Sequence, residues 1–119
     1  MFKVFTKNDG LESKGFIKAA KKFGLKKEEI ELVVYDRFLA SLVFMLAVSK
    51  KKLYVLSTDN KKPEIFDTAD YKQLLIDKKT DLNLYLRSGR VINLTSVVGV
   101  KPLVIKATKE LAEKLNSLR

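Results

Sequence analysis

Seven short segments with the composition of β-strands follow one another between residues 31 and 94, and this succession most limits the folds open to the chain. The segments are 31–37, 42–48, 53–56, 64–67, 72–77, 82–87 and 91–94. In the sixth, Leu82, Leu84 and Leu86 alternate with polar or aromatic residues, which is typical of a strand buried on one face. Ser88 and Gly89 then predict a hairpin turn. The sequence therefore predicts an α+β protein built mainly from antiparallel strands.

Polar and turn-forming residues separate these segments. The first break is predicted at 36–40, and a polar turn with three successive lysines follows at 49–52. A loop rich in Asn, Asp and Pro covers 57–63. Residues 68–71 fit a turn or one turn of helix. Segment 2–5 is apolar but brief, so it fits either an edge strand or a loosely held arm.

Residues 13–24 predict an amphipathic helix. The apolar face consists of Phe16, Ile17, Ala20 and Phe23, and the opposite face of Lys14, Lys18, Lys21 and Lys22. Ser13 is the predicted N-cap, and Gly24 the glycine that ends the helix. We expect the apolar face to dock on a sheet rather than lie on a membrane surface, because its width suits a sheet.

A second helix is predicted to end the chain, after a linker that contains Gly99 and Pro102. Leu111, Ala112, Leu115 and Leu118 recur at helical spacing, with Thr108 as N-cap and Glu110 and Glu113 near the start. No linker is long enough to divide two domains. We therefore expect one unit, in which 1–30 form an arm and a helix packed on a domain of 31–119.

The chain lacks both Cys and His. Disulfides, thiolate nucleophiles and histidine-dependent metal or base chemistry are therefore excluded. The sequence also has no nucleophile elbow, phosphate loop, dinucleotide fingerprint or acidic pair at metal-ligand spacing. We expect no enzymatic activity, and we assign no catalytic, metal-binding or cofactor-binding residue and no cofactor.

The chain is expected to be cytoplasmic and to have no transmembrane segment. Its first residues lack the apolar stretch of a secretory signal. The longest apolar run, 38–48, spans eleven residues, whereas a bilayer-crossing helix needs about 20.

Three stretches carry a resemblance to a known family. They are LAVSKKKLYVL at 46–56, IFD at 65–67 with YKQL at 71–74, and LNLYLRSGRVINL at 82–94. In these stretches, and in the order of seven strands before a closing helix, residues 31–118 resemble the bacterial pleckstrin-homology-like (PH-like) domains.

The resemblance implies two bent antiparallel sheets packed nearly at right angles, as a sandwich or partly open barrel. The C-terminal helix would close one end, with Leu111 and Leu115 as its core contacts. The helix at 13–24 would be an addition to that fold. An α+β arrangement in which this first helix joins the core is the alternative.

Lysine and arginine exceed the acidic residues by 24 to 14, a net charge of +10. The excess is spread along the chain, as on a solvated surface, and the longest run is the three lysines at 50–52. Some members of the resembled family bind phosphoinositides through clustered loop cations. Here the 36–40 loop contains Arg37 as its only basic residue. Lys61 and Lys62 lie in another loop, and the lysines at 50–52 belong to the opposite end of the predicted barrel. Specific phosphoinositide binding is therefore not expected.

Two hypotheses on function follow. We prefer a non-enzymatic protein-binding or scaffolding module, because PH-like folds offer a groove beside the closing helix where a peptide can add as a strand. The N-terminal region would either cover that sheet edge or pair with a second copy of the chain there, giving a homodimer. The alternative is nucleic-acid binding, or weak binding of anionic lipid, through the basic surface. The helix lysines Lys14, Lys18, Lys21 and Lys22 would carry it if they aligned with another lysine cluster in space.

Overall fold

The computed structural model describes residues 2–39, 41–57, 62–78 and 81–96, together with 109, 112–113 and 115–117. Within these residues the chain has one ten-residue helix, α1 (Lys14–Phe23), and eight strands. The strands are β1 (Phe2–Thr6), β2 (Ile30–Phe38), β3 (Ser41–Ser49), β4 (Lys52–Leu56), β5 (Glu64–Asp67), β6 (Tyr71–Asp77), β7 (Asp81–Leu86) and β8 (Val91–Ser96). Short 3₁₀ helices occupy Lys7–Asp9, Lys27–Glu29 and Thr68–Asp70. Residues 109, 112–113 and 115–117 are helical.

The strands form two antiparallel sheets whose strand order follows the chain. One sheet contains β1 to β5 and the other β6 to β8. The seven segments predicted as strands correspond to β2 to β8, so the α+β class with antiparallel strands is confirmed. None of the helices among the described residues is long and apolar enough to cross a bilayer.

The apolar N-terminal segment is an edge strand. It pairs with β2, and Val4 lies opposite Val34. The strand ends in a capping box, in which the Thr6 N–H donates to Asp9 Oδ2 at 2.8 Å and the Asn8 N–H donates to Thr6 Oγ1 at 3.3 Å. The Thr-x-x-Asp spacing at 6–9 was the sequence signal for this stop.

The turn between the first two predicted strands is shorter than expected. β2 continues through Asp36 and Arg37 to Phe38, and the turn begins at Leu39, which has a left-handed φ of 58°. The break predicted at 36–40 is therefore wrong in extent. Charged residues are tolerated here because Asp36 and Arg37 lie next to the turn of the hairpin, where both are only half-buried.

The main hydrophobic core lies between the two sheets. The five-stranded sheet contributes side chains such as Leu32, Phe44 and Leu46, and the three-stranded sheet contributes others such as Leu84. Leu115 belongs to the same cluster and is 2% exposed. The prediction that Leu115 is a core contact is therefore confirmed. Its predicted companions Leu111 and Leu118, the N-cap Thr108 and Glu110 lie outside the described residues.

A second, smaller core covers the other face of the five-stranded sheet. Here α1 packs Phe16 and Ala19 against Ile30, Val33 and Met45. The helix therefore buries a separate face of the sheet and does not enter the cluster between the sheets.

The predicted buried face of α1 is partly wrong. Ile17 is 45% exposed, whereas Gly15 and Ala19 are buried. The reason is a close approach of the helix to β1, because a Cβ on Gly15 would lie 2.2 Å from Cδ2 of Phe5. Phe16 and the small residues Gly15 and Ala19 thus face the sheet, and Ile17 points outward.

The two predicted ends of α1 differ in how they form. Gly24 ends the helix in the left-handed conformation, with φ 67° and ψ 33°, as predicted. Ser13 holds the N-cap position with extended backbone, but its hydroxyl makes no capping hydrogen bond.

We expect Leu115→Ala to lower the free energy of unfolding by about 2 to 5 kcal/mol, because it removes a fully buried side chain and leaves a cavity. Urea denaturation measures this. The control is Asn116→Ala, at an exposed neighbouring position. Equal midpoints for the two variants would contradict the docking of Leu115 in the core.

We expect Gly15→Ala to lower the melting temperature. Helix propensity alone would favour the alanine by about 1 kcal/mol. A decrease in the melting temperature would therefore be due to the clash with Phe5. Lys22→Ala, on the exposed side of α1, is the control. A Gly15→Ala variant more stable than the wild type would refute the close packing of α1 on β1.

Candidate anion-binding groove

A β-bulge near the β2–β3 hairpin shapes the surface beside α1. Asp36 lies opposite Phe44, but Arg37 lies opposite Leu42, so Val43 is an extra residue on β3. A bulge of this kind changes the side of the sheet to which the following side chains point.

The bulge determines where Leu42 points. Residues three apart on a regular strand face opposite sides of the sheet. Leu42 and Met45 nevertheless both contact the cluster on the α1 side. The bulge thus adds Leu42 to the face that carries Tyr35 and Arg37.

Two adjacent depressions lie between α1 and this hairpin. One, of about 420 Å³, is lined by Lys3, Lys14, Lys18, Tyr35, Arg37 and Leu39. The other, of about 300 Å³, is lined by Lys18, Lys21, Lys22, Arg37, Leu42 and Met45. Lys18 and Arg37 line both, so we treat the two as one surface, the basic groove. Its described lining contains six cationic and no acidic side chains.

The helix wall of the groove is a stripe of lysines. Lys14, Lys18 and Lys21 follow one another at i, i+4 and i+7, the spacing that places side chains on one side of a helix. With a rise of 1.5 Å per residue, Lys14 and Lys21 lie about 10 Å apart along the axis. In the described part of the chain, no carboxylate forms an ion pair with these lysines.

Lys18 occupies the centre of the groove. Its Nζ lies 5.0 Å from the centroid of the Tyr35 ring, within the range of a cation–π contact. Burial, followed by the positive charges of Arg37 and Lys14, lowers the pKa of Lys18 from its ordinary value. Like charges thus oppose one another here, and an anion placed among them would relieve the repulsion.

The aromatic ring in the groove is already covered. Tyr35 is 3% exposed and stacks on Phe5, with ring centroids 5.8 Å apart and planes at 9°. Tyr71 is also buried, and the ring of Tyr54 packs against Phe23 at 5.7 Å. These rings therefore help to hold the sheets and α1 together and present no stacking platform.

The structure brings five of the seven predicted anion-binding residues together. Arg37 joins Lys14, Lys18, Lys21 and Lys22 in the basic groove. Sequence reasoning placed Arg37 in a loop and missed Lys3, whose place in the groove depends on the pairing of β1 with β2.

The other predicted cations lie elsewhere. Lys62 is exposed just before β5 and lines neither depression, and Lys61 falls outside the described residues. The lysines at 50–52 occupy the β3–β4 turn, at the opposite end of β3 from the groove. There Lys52 pairs with Asp67 at 2.5 Å.

A separate polar network lies on the three-stranded sheet. The Tyr85 hydroxyl and the Asn83 side-chain amide both donate to Asp77 Oδ2, the latter at 2.7 Å. Asn93 in turn donates to Asn83 Oδ1 at 2.9 Å. The hydrogen bonds from Tyr85 and then Asn83 lower the pKa of Asp77, and the same bond raises the pKa of Tyr85.

No protein-family model matches the sequence, and no curated protein matches it significantly.

We expect Tyr85→Phe to destabilise the fold at about pH 6 more than at about pH 2.5. The folded pKa of Asp77 is depressed, so its contribution to stability is present above the unfolded pKa and is lost as the pH falls through the folded pKa. Removing the Tyr85 hydroxyl removes part of that contribution. The urea-denaturation midpoints of the wild type and the variant at the two pH values measure this loss.

The control for this variant is Tyr54→Phe, on the α1 side of the other sheet. A Tyr85→Phe effect that stays constant across the two pH values would show that the hydroxyl does not stabilise the ionised Asp77.

Proposed function

We propose that this chain is a non-enzymatic binding module with a PH-like fold, and that it binds a polyanionic partner in the basic groove. Support for the PH-like fold comes from the strand order. β2 to β5 belong to one sheet and β6 to β8 to the next, and helical residues follow. In this interpretation, β1 and α1 are additions to the PH-like fold.

The observation that carries the proposed function is the convergence of six cationic side chains in a lining without a described acidic one. Cations gathered in a concave site raise the local positive potential and attract anions. A merely solvated lysine surface would interleave both signs, as at the β3–β4 turn, where Lys50 and Lys51 lie among Glu28, Glu29 and Glu31.

The peptide groove implied by the resemblance is a different place. It would involve the closing helix, much of which lies outside the described residues. The N-terminal region does cover a sheet edge, because β1 pairs along β2. Formation of a homodimer through that region stays a prediction.

Nucleic acid is a second candidate for the polyanion. Lys3 and Arg37 lie beside the helix lysines in the groove, which adds two cations to them but no second lysine cluster. Tyr35 is covered, so binding would rely on phosphate contacts. It would then be steeply salt-dependent and indifferent to base sequence.

We expect the double variant Lys14→Glu with Lys21→Glu to lose polyanion binding. The probes are fluorescently labelled polyglutamate and a labelled mixed-sequence oligonucleotide, followed by anisotropy at about 50 mM and about 200 mM salt. The expected loss for the probe that binds is at least about tenfold in Kd, the equivalent of about 1.4 kcal/mol.

The matched control is Lys50→Glu with Lys51→Glu, which changes the net charge by the same amount at the opposite end of β3. Equal losses in the two double variants would mean that only the overall charge attracts the probe. That result, or no binding by the wild type at low salt, would overturn the proposed function.

A further inference from the structure

We infer that the partner in the basic groove is an acidic protein segment, bound in an extended conformation with a bulky apolar side chain between its carboxylates. This inference rests on the proposed function and names the partner class.

The apolar floor of the groove favours a protein segment over a phosphate chain. Half-buried Leu42 supplies the accessible apolar surface in the depression that Lys21 and Lys22 also line, because Met45 behind it is only 1% exposed. Its volume is about 300 Å³, and a cavity of about 150 Å³ already holds a benzene ring. A phosphate chain has no aliphatic group for this floor. A leucine-like side chain flanked by carboxylates would use the floor and the cations together.

The spacing of the cations is a second argument. The lysine stripe from Lys14 to Lys21 covers about 10 Å. An extended chain advances about 3.3 Å per residue, so about four residues cover the stripe. Arg37, which projects from β2, lies across the groove from that wall. A short run of acidic residues therefore matches the groove in length and in charge on both walls.

A bilayer and a nucleic acid fit less well. Leu39 is 88% exposed at the hairpin tip, but it is a single side chain, and stable membrane anchoring requires more apolar contact together with the charge. A single-stranded nucleic acid would use exposed rings for stacking, whereas Tyr35 is covered by Phe5.

Four probes test the inference on the full chain. They are a labelled acidic peptide with a central leucine, the same peptide with serine in its place, a labelled mixed-sequence oligonucleotide, and phosphatidylcholine vesicles containing phosphatidylglycerol. We expect the leucine peptide to bind most tightly of the four and about tenfold more tightly than the serine peptide. The Lys14→Glu with Lys21→Glu variant should weaken both peptides.

A variant of the floor supplies a second readout. Leu42→Gln should abolish the preference for leucine over serine. Leu75→Gln, at an exposed position of β6 outside the groove, should keep it. Thermal melting of each variant shows whether it is folded. If Leu42→Gln does not fold, the comparison of the two peptides on the wild type decides alone.

The outcomes separate the two proposals. Equal binding of the two peptides, or tighter binding of the oligonucleotide or the vesicles than of the leucine peptide, would overturn this inference. In either case, if the probes that bind the wild type lose their affinity in Lys14→Glu with Lys21→Glu, the proposed function stands. If none of the four probes binds, both proposals fail.

Discussion

Burial of the β2–β3 pair on both faces is the constraint on which the rest of the structure depends. One face of the pair lies against the three-stranded sheet, through residues such as Leu46 and Leu84, and the other lies under α1, through Val33 and Met45. A chain of this size cannot leave two apolar sheet faces in water. The helix at 14–23 is therefore required by the sheet, and the groove at its edge is a result of how the helix is seated.

Much of the fold follows from local patterns. The alternation of Leu82, Leu84 and Leu86 and the turn at Ser88 and Gly89 predict the β7–β8 hairpin, because a strand buried on one face repeats every two residues. Segment 42–48 shows no such alternation. A strand covered on both faces is apolar throughout, so the sequence located β3 without showing which side chain faces which layer.

The candidate site was harder to predict for the same reason. The helix lysines are a periodic set and could be recognised, but their neighbours could not. The extra residue Val43 is hidden inside an apolar run, and it alone brings Leu42 to the α1 side. Lys3 reaches the groove through a pairing between residues far apart in the chain, which no local pattern contains. Gly15 carries no apolar signal, although its lack of a side chain determines which face of α1 is buried.

The connection from β1 to β2 has a mechanical consequence. α1 lies within a segment whose two ends lead into neighbouring antiparallel strands, so the helix is tethered at both ends to the sheet that it covers. The helix wall of the groove can move away from the hairpin wall only if β1 separates from β2 or the helix ends unwind. The backbone positions that carry the cations are therefore fixed when the groove is empty, and a ligand would have to order only the side chains.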